Sequence, residues 1–91
     1  MNQSDLFTIR STVSFVFKNA HMLDLSYNSF LPELIKHQAK KTRSKVVMEK
    51  NDKNTLVFFV ESTDITAFRA SINDIIGFGR ILEGVINIIG D

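Results

Sequence analysis

The chain has 91 residues, of which 44% are apolar and 23% are charged, and its formal net charge is +1. These totals indicate one globular domain, residues 1–91, and exclude an intrinsically disordered protein. Cysteine is absent, which excludes disulfides, zinc–thiolate sites and thiol catalysis and fits a cytoplasmic location. No stretch approaches 18 consecutive apolar residues, so we expect no membrane association. Residues 1–7 lack the pattern of a secretory signal, and we expect them to be a flexible N-terminus.

The first periodic segment is TIRSTVSFVF, residues 8–17. Ile9, Val13, Phe15 and Phe17 fall on one face and polar residues on the other, which predicts a half-buried strand. Asn19 is a suitable cap for a helix that follows.

The period becomes helical from residue 20 to residue 31. Pro32 fits poorly inside a helix, so we expect the helix to kink or end near Phe30. Residues 36–44 are polar and basic, and we interpret them as a loop.

Residues 44–50 and 55–62 are two strand-like runs separated by NDKN, which is typical turn chemistry. They predict a hairpin. Few polar residues interrupt the run Leu56 to Val60, which indicates a central strand covered on both faces.

The last segment begins with three good N-cap residues, Ser62, Thr63 and Asp64. No proline follows, so we expect one helix to continue to about Ile89. The predicted fold is therefore α+β, with the order β-α-β-β-α and a three-stranded, mostly antiparallel sheet packed with two helices.

The second helix carries two apolar stripes at 100° per residue. The first, which includes Phe68, Ile72 and Ile75, should cover the sheet. The second lies on the opposite side of the helix. The first helix likewise carries apolar residues outside its main stripe. We predict a partner interface on these helix faces, formed by Met22, Leu25, Phe78, Ile81, Val85, Ile88 and Ile89. A tight core with a few tolerated exposed side chains is the alternative.

Basic residues cluster between residues 36 and 53, which hold seven of the eleven in the chain. This segment could contact phosphate, or it could be a solvated loop with lysines that protect a sheet edge. Arg69 could be an ordinary solvated arginine, pair with Glu61 or Asp64, or contact a molecule outside the chain. The candidate residues for contact with a molecule outside the chain are Lys40, Lys41, Arg43, Lys45 and Arg69.

Catalytic patterns are missing from the sequence. His21 and His37 lie far apart without acidic partners at ligand spacing, and no nucleophile elbow, phosphate-binding loop or carboxylate pair occurs. We therefore expect no enzymatic activity, no metal and no cofactor.

Several local patterns together resemble one family. YNSFLPEL (27–34), KKTRSKVVMEK (40–50) and NTLVFFVESTDITAFRASINDII (54–76) are similar to the small dimerising subunit of the KEOPS (EKC) complex, which is related to the CTAG/LAGE antigens. The matching positions are Tyr27, Ser29, Pro32, Glu33, Arg43, Ser44, Asp64, Thr66, Ala67, Phe68, Arg69, Ala70 and Asn73.

The resemblance implies a non-catalytic subunit that supports threonylcarbamoyladenosine modification of tRNA in an assembly of the archaeal type. Such a subunit dimerises, docks its helices on the threonylcarbamoyl-transferase subunit and joins two assemblies. It is linked indirectly to the small kinase/ATPase subunit and helps to engage tRNA, so the resemblance makes Lys40, Lys41, Arg43, Lys45 and Arg69 the candidate tRNA-contact residues.

Two positions depart from the family pattern: Asp74 replaces a small residue and Gly77 replaces a basic one. These departures leave open whether the chain pairs with itself or with a paralogue. A stand-alone RNA-binding module that uses residues 36–53 remains the alternative.

Overall fold

The computed structural model describes residues 8–39, 43–82 and 85–90, and the side chains of residues 8–37 and 43–82. In chain order, these residues form the elements β1 (Ile9–Val16), α1 (Ala20–Ala39), β2 (Ser44–Asn51), β3 (Thr55–Ser62), α2 (Ile65–Gly79) and β4 (Val85–Gly90). A single 3₁₀ turn at Arg80–Leu82 follows α2.

The sheet has the order β2-β3-β1-β4, and every neighbouring pair is antiparallel. The predicted α+β class and the order β-α-β-β-α are confirmed through Gly79. The sheet, however, has a fourth strand, because residues 85–90 pair with β1 from Val16↔Val85 to Ser11↔Gly90. The prediction of a helix to about Ile89 is therefore wrong, and α2 ends ten residues earlier.

Alternation in β1 produces the expected half-buried strand. Val13, Phe15 and Phe17 are buried on the helix-covered face, while Thr8, Arg10 and Val16 are exposed. The predicted cap is also confirmed, because the Asn19 side-chain oxygen accepts a hydrogen bond from the Met22 amide at 2.9 Å.

Helix α1 continues through Pro32 to Ala39, so the predicted end near Phe30 is wrong. A proline inside a helix costs about 3 kcal/mol through the lost hydrogen bond and the ring clash. Residues beyond it offset this cost, because Leu34 packs against the core and His37 bonds to α2. Residues 36–39 are consequently helical and not part of a basic loop, and residues 40–42 lie outside the described part.

The β2–β3 hairpin forms where the turn chemistry predicted it. The Asn51 side chain accepts hydrogen bonds from the backbone amides of Lys53 and Thr55, at 3.0 and 3.3 Å. Asn54 has φ of 57°, the left-handed conformation that closes a three-residue hairpin loop.

The core lies between the sheet and the two helices. Phe15, Phe30 and Phe58 have ring centroids 4.6–5.7 Å apart, and Phe78 adds a contact to Phe30 at 4.7 Å. Strand β3 is central, as predicted, but only one of its faces is covered. Phe58 is 1% exposed and Phe59 is 43% exposed, so the expected coverage on both faces is wrong.

Candidate functional site

A groove runs between α1 and α2 on the outer side of the molecule. Two contacts between described side chains join the helices. The rings of Phe30 and Phe78 are 4.7 Å apart, and His37 Nε2 lies 2.9 Å from the buried hydroxyl of Ser71. The two points are seven residues apart on each helix and run in opposite directions, so the helices are antiparallel, with about 10 Å between the contacts.

The groove encloses a cavity of about 590 Å³. Its floor includes Val46 and Phe58 from the sheet. One wall is formed by α1 residues that include Glu33, Leu34 and Lys36. The other wall belongs to α2 and consists mainly of small or apolar side chains: Ala67, Ala70, Gly77, Phe78 and Ile81, together with Asp74.

The spacing of these α2 residues explains the wall. Positions 67, 70, 74, 77 and 81 recur every three or four residues and therefore share one helix face. Ala67, Ala70 and Ile81 belong to the second, outward-facing apolar stripe predicted from the sequence, and Asp74 and Gly77 lie on the same face. Ile81, in the 3₁₀ turn, is 73% exposed, the most exposed large apolar side chain of the described residues.

The other predicted interface residues are distributed differently. Met22 packs partly against the core, and Leu25 is 51% exposed on α1. Val85, Ile88 and Ile89 belong to β4 and are not helical, so their assignment to a helix-borne surface is wrong. The register pairs them with Val16, Val13 and Thr12.

Sequence reasoning considered His37 only as a metal ligand and missed its contact with α2. Its Nδ1 atom is buried and has no hydrogen-bond partner among the described residues. The available signal was helical spacing, since Phe30, Leu34 and His37 lie on one face of α1.

A second apolar surface lies on the sheet face that carries no helix. The register aligns Val47, Phe59 and Thr12 in one row across β2, β3 and β1. Val47 and Phe59 are exposed, as is Val16 on the same face. The neighbouring row is charged: Glu61 lies between Lys45 and Arg10, and Arg10 Nε contacts Glu61 Oε2 at 2.8 Å. We call this surface the open sheet face.

The candidate tRNA-contact residues do not form one cluster in the described part. Lys40 and Lys41 lie outside it. Lys45 is exposed on β2, and Arg69 is exposed on α2 and does not line the groove. Arg69 shows no ion pair within the described residues, where Glu61 pairs with Arg10 and Asp64 with Arg43.

Asp64 caps α2 and anchors Arg43. Its Oδ1 accepts hydrogen bonds from the amides of Thr66 and Ala67, and its Oδ2 lies 3.3 Å from Arg43 Nη1. The hydrogen bonds donated by the Ala67 and Thr66 backbone amides lower the pKa of Asp64 below its ordinary value, and the positive charge of Arg43 lowers it further. Arg43 is thereby held beside the N-terminus of α2.

Within the described residues, no three His, Asp or Glu side chains are grouped so that they could bind a metal ion. None of the helices described has the length and apolar character needed to span a membrane.

Comparison with known families adds a decisive observation. A family model described as "Transcription factor Pcc1" matches residues 10–87, which is most of the chain. The chain belongs to the Pcc1 family. Pcc1 is known as a subunit of the KEOPS complex, so the family match supports a KEOPS-related role and agrees with the resemblance found in the sequence. The Pcc1 family is of a non-catalytic subunit type.

Solved structures support the fold of this Pcc1-family chain. A de novo designed ferredoxin-fold protein, LFR1 1, is 13% identical with a TM-score of 0.65, covering 92% of this chain and 84% of its own. A dimeric ferredoxin-like protein from an uncultured marine organism is 12% identical with a TM-score of 0.59, covering 98% and 91%. The designed protein Ferredog-Diesel is 16% identical with a TM-score of 0.56, covering 90% and 83%. At these identities the likeness shows a ferredoxin-like fold alone. No curated protein matched the sequence.

Proposed function

We propose that this Pcc1-family protein is a non-catalytic dimerising and scaffolding subunit of the KEOPS complex. It supports threonylcarbamoyladenosine modification of tRNA by docking α1 and α2 on the threonylcarbamoyl-transferase subunit and by joining two assemblies through a second copy or a paralogue. The observation that carries this proposal is the presence of two separate apolar surfaces, the groove and the open sheet face.

A bridging subunit needs two interfaces that do not overlap. The groove opens between the helices, and the open sheet face lies on the other side of the sheet. Both surfaces expose large apolar side chains, Ile81 in one case and Phe59 in the other. An apolar centre with a charged border is typical of protein interfaces, and the row of Lys45, Glu61 and Arg10 provides such a border on the open sheet face.

One substitution on each surface tests the proposal. Phe59→Lys should abolish the dimer and leave binding of the transferase subunit intact. Ile81→Asp should leave the dimer intact and weaken transferase binding. Light scattering measures the mass of each variant, alone and with a candidate paralogue, and pull-down measures transferase binding. Both side chains are exposed, and circular dichroism checks that each variant folds.

A wild-type chain that stays monomeric alone and with paralogues would contradict bridging. A wild-type chain that does not bind the transferase subunit would contradict docking. Dimerisation only with a paralogue would support the heterodimeric form of the proposal.

We further propose that Lys40, Lys41, Arg43, Lys45 and Arg69 contribute to tRNA contact as part of the assembly. A stand-alone RNA-binding module gains no support from the described residues, because the described cations of the 36–53 segment are spread over α1, β2 and the residues that flank β2. Lys36 lines the groove. The Nζ atom of Lys50 lies 3.2 Å from Asp24 Oδ1 and 4.7 Å from the centroid of the Tyr27 ring. Replacing Lys40, Lys41, Arg43 and Lys45 by Ala should weaken tRNA binding by the complex and flatten its salt dependence. If the salt dependence of tRNA binding did not change, these residues would not contact tRNA.

A further inference from the structure

The two glycines near the end of α2 have different surroundings. A Cβ atom added to Gly79 would overlap the ring of Phe15, so the core itself requires glycine there. A Cβ atom added to Gly77 would meet no atom within 4 Å. Nothing within the described residues therefore explains why residue 77 lacks a side chain.

Glycine at position 77 has a cost, because a glycine inside a helix is less favourable than alanine. Gly77 lies two residues before the end of α2, and its φ is not positive, so it does not act as a left-handed cap. Gly77 lies on the groove wall about two turns after Ala70 and three turns after Ala67, so small residues recur along this face. Asp74, Phe78 and Ile81 also line this wall, so the backbone of another helix could approach closely only at the points that carry glycine or alanine.

The groove also has a charge pattern. Glu33 on α1 and Asp74 on α2 both line the cavity, and both are exposed. Neither takes part in an ion pair within the described residues. Among the lining residues that the structure describes there are two carboxylates, Glu33 and Asp74, and one lysine, Lys36. An acidic border favours a basic partner and disfavours nucleic acid.

Resting on the proposed function, we infer that the partner segment in this groove is a helix whose axis crosses α2 at Gly77 and whose basic side chains pair with Glu33 and Asp74. The occupant is therefore a basic amphipathic helix of the transferase subunit. Gly77 is a specificity-determining residue because it admits the helix backbone at a distance that any side chain would prevent.

A size series at position 77 tests the close approach, with the purified transferase subunit as the probe. Gly77→Ala should weaken binding measurably, and Gly77→Leu should weaken it at least about tenfold, because the added side chain separates the two helices. Thr66→Leu is the matched control. It places the same side chain at an exposed position of α2 that does not line the groove, and it should leave the affinity unchanged. All three variants should retain the wild-type circular dichroism spectrum.

Removing the two carboxylate charges tests the proposed ion pairs with the partner helix. Glu33→Gln combined with Asp74→Asn should weaken binding and reduce its dependence on salt concentration. Asp52→Asn, in the β2–β3 turn, should change neither quantity.

The outcomes separate the inference from the proposed function. A Gly77→Leu variant that binds like the wild type would overturn the close approach while leaving docking intact. A salt dependence that is unchanged in the double variant would overturn the ionic pairing. Failure of the wild-type protein to bind would overturn the docking proposal itself, and the inference with it.

Discussion

Adjacent phenylalanines on β3 have opposite surroundings: Phe58 is enclosed by the rings of Phe15 and Phe30, whereas Phe59 projects from the open sheet face. Successive residues of a strand point to opposite faces, so the uninterrupted apolar run Leu56 to Val60 supplies both. The covered face stabilises the domain, and the open face is available to another molecule. In β3, therefore, the parity of a position decides whether an apolar side chain packs in the core or is exposed on the open sheet face.

The largest expected effect is on the covered face. Phe58→Ala should reduce the free energy of unfolding by about 3–5 kcal/mol, because it leaves a cavity among packed rings. Phe59→Ala is the matched control and should cost much less in dilute protein. Denaturant unfolding measures both. Equal losses would show that the two faces are equivalent, contrary to the comparison.

The next effect concerns the contact between α2 and the covered face. Gly79→Ala should destabilise the protein by about 1–3 kcal/mol, because the new methyl group overlaps the ring of Phe15. That ring is fully buried against Phe30 and Phe58 and has little room to move. Thermal unfolding provides the measurement, and an unchanged midpoint would show that the core adapts.

Gly77→Ala provides a contrast with Gly79→Ala, because a methyl group at residue 77 would lie in open space instead of against the core. We expect the isolated protein to become more stable by about 1 kcal/mol through the higher helix propensity of alanine. Thermal unfolding of both alanine variants in one buffer tests the opposite signs. A loss of stability in Gly77→Ala would reveal an internal role for this glycine.

The smallest effect is at the cap of α2. Because the pKa of Asp64 is lowered in the folded state, its carboxylate stabilises the fold above the ordinary aspartate pKa of about 3.9. That contribution is lost as the pH falls below this value towards the folded-state pKa. Asp64→Asn keeps a capping oxygen without the charge. The unfolding temperatures of the wild type and the variant should therefore differ slightly at pH 7 and converge at low pH. A constant difference would contradict this account.

Local signals predicted the parts of the fold that depend on local chemistry. The alternation of β1, the Asn19 cap and the turn chemistry of the hairpin are each contained within a few neighbouring residues. The outward stripe of α2 was also visible, because helical spacing alone places Ala67, Ala70 and Ile81 on one side.

Distant contacts decided the parts that sequence reasoning missed. The part of α1 after Pro32 is joined to α2 by the hydrogen bond between His37 and Ser71, which are 34 residues apart in the sequence. Strand β4 pairs with β1, more than 65 residues earlier in the chain. Its composition held a signal, since Val85, Ile86, Ile88 and Ile89 are all β-branched and favour strands over helices. The groove charges were not predictable, because Glu33 and Asp74 become neighbours of one cavity only when the helices pack.

The position of β4 beside β1 has a consequence for topology. Ser11, near the start of β1, pairs with Gly90 at the end of β4, while the turn between β2 and β3 lies at the other end of the sheet. The described chain thus enters and leaves the sheet at the same corner. The fold is therefore suited to circular permutation, in which a short linker joins Gly90 to the start of β1 and the chain is opened at residues 52–54. Both the groove and the open sheet face would then be presented on a chain with a new order of elements.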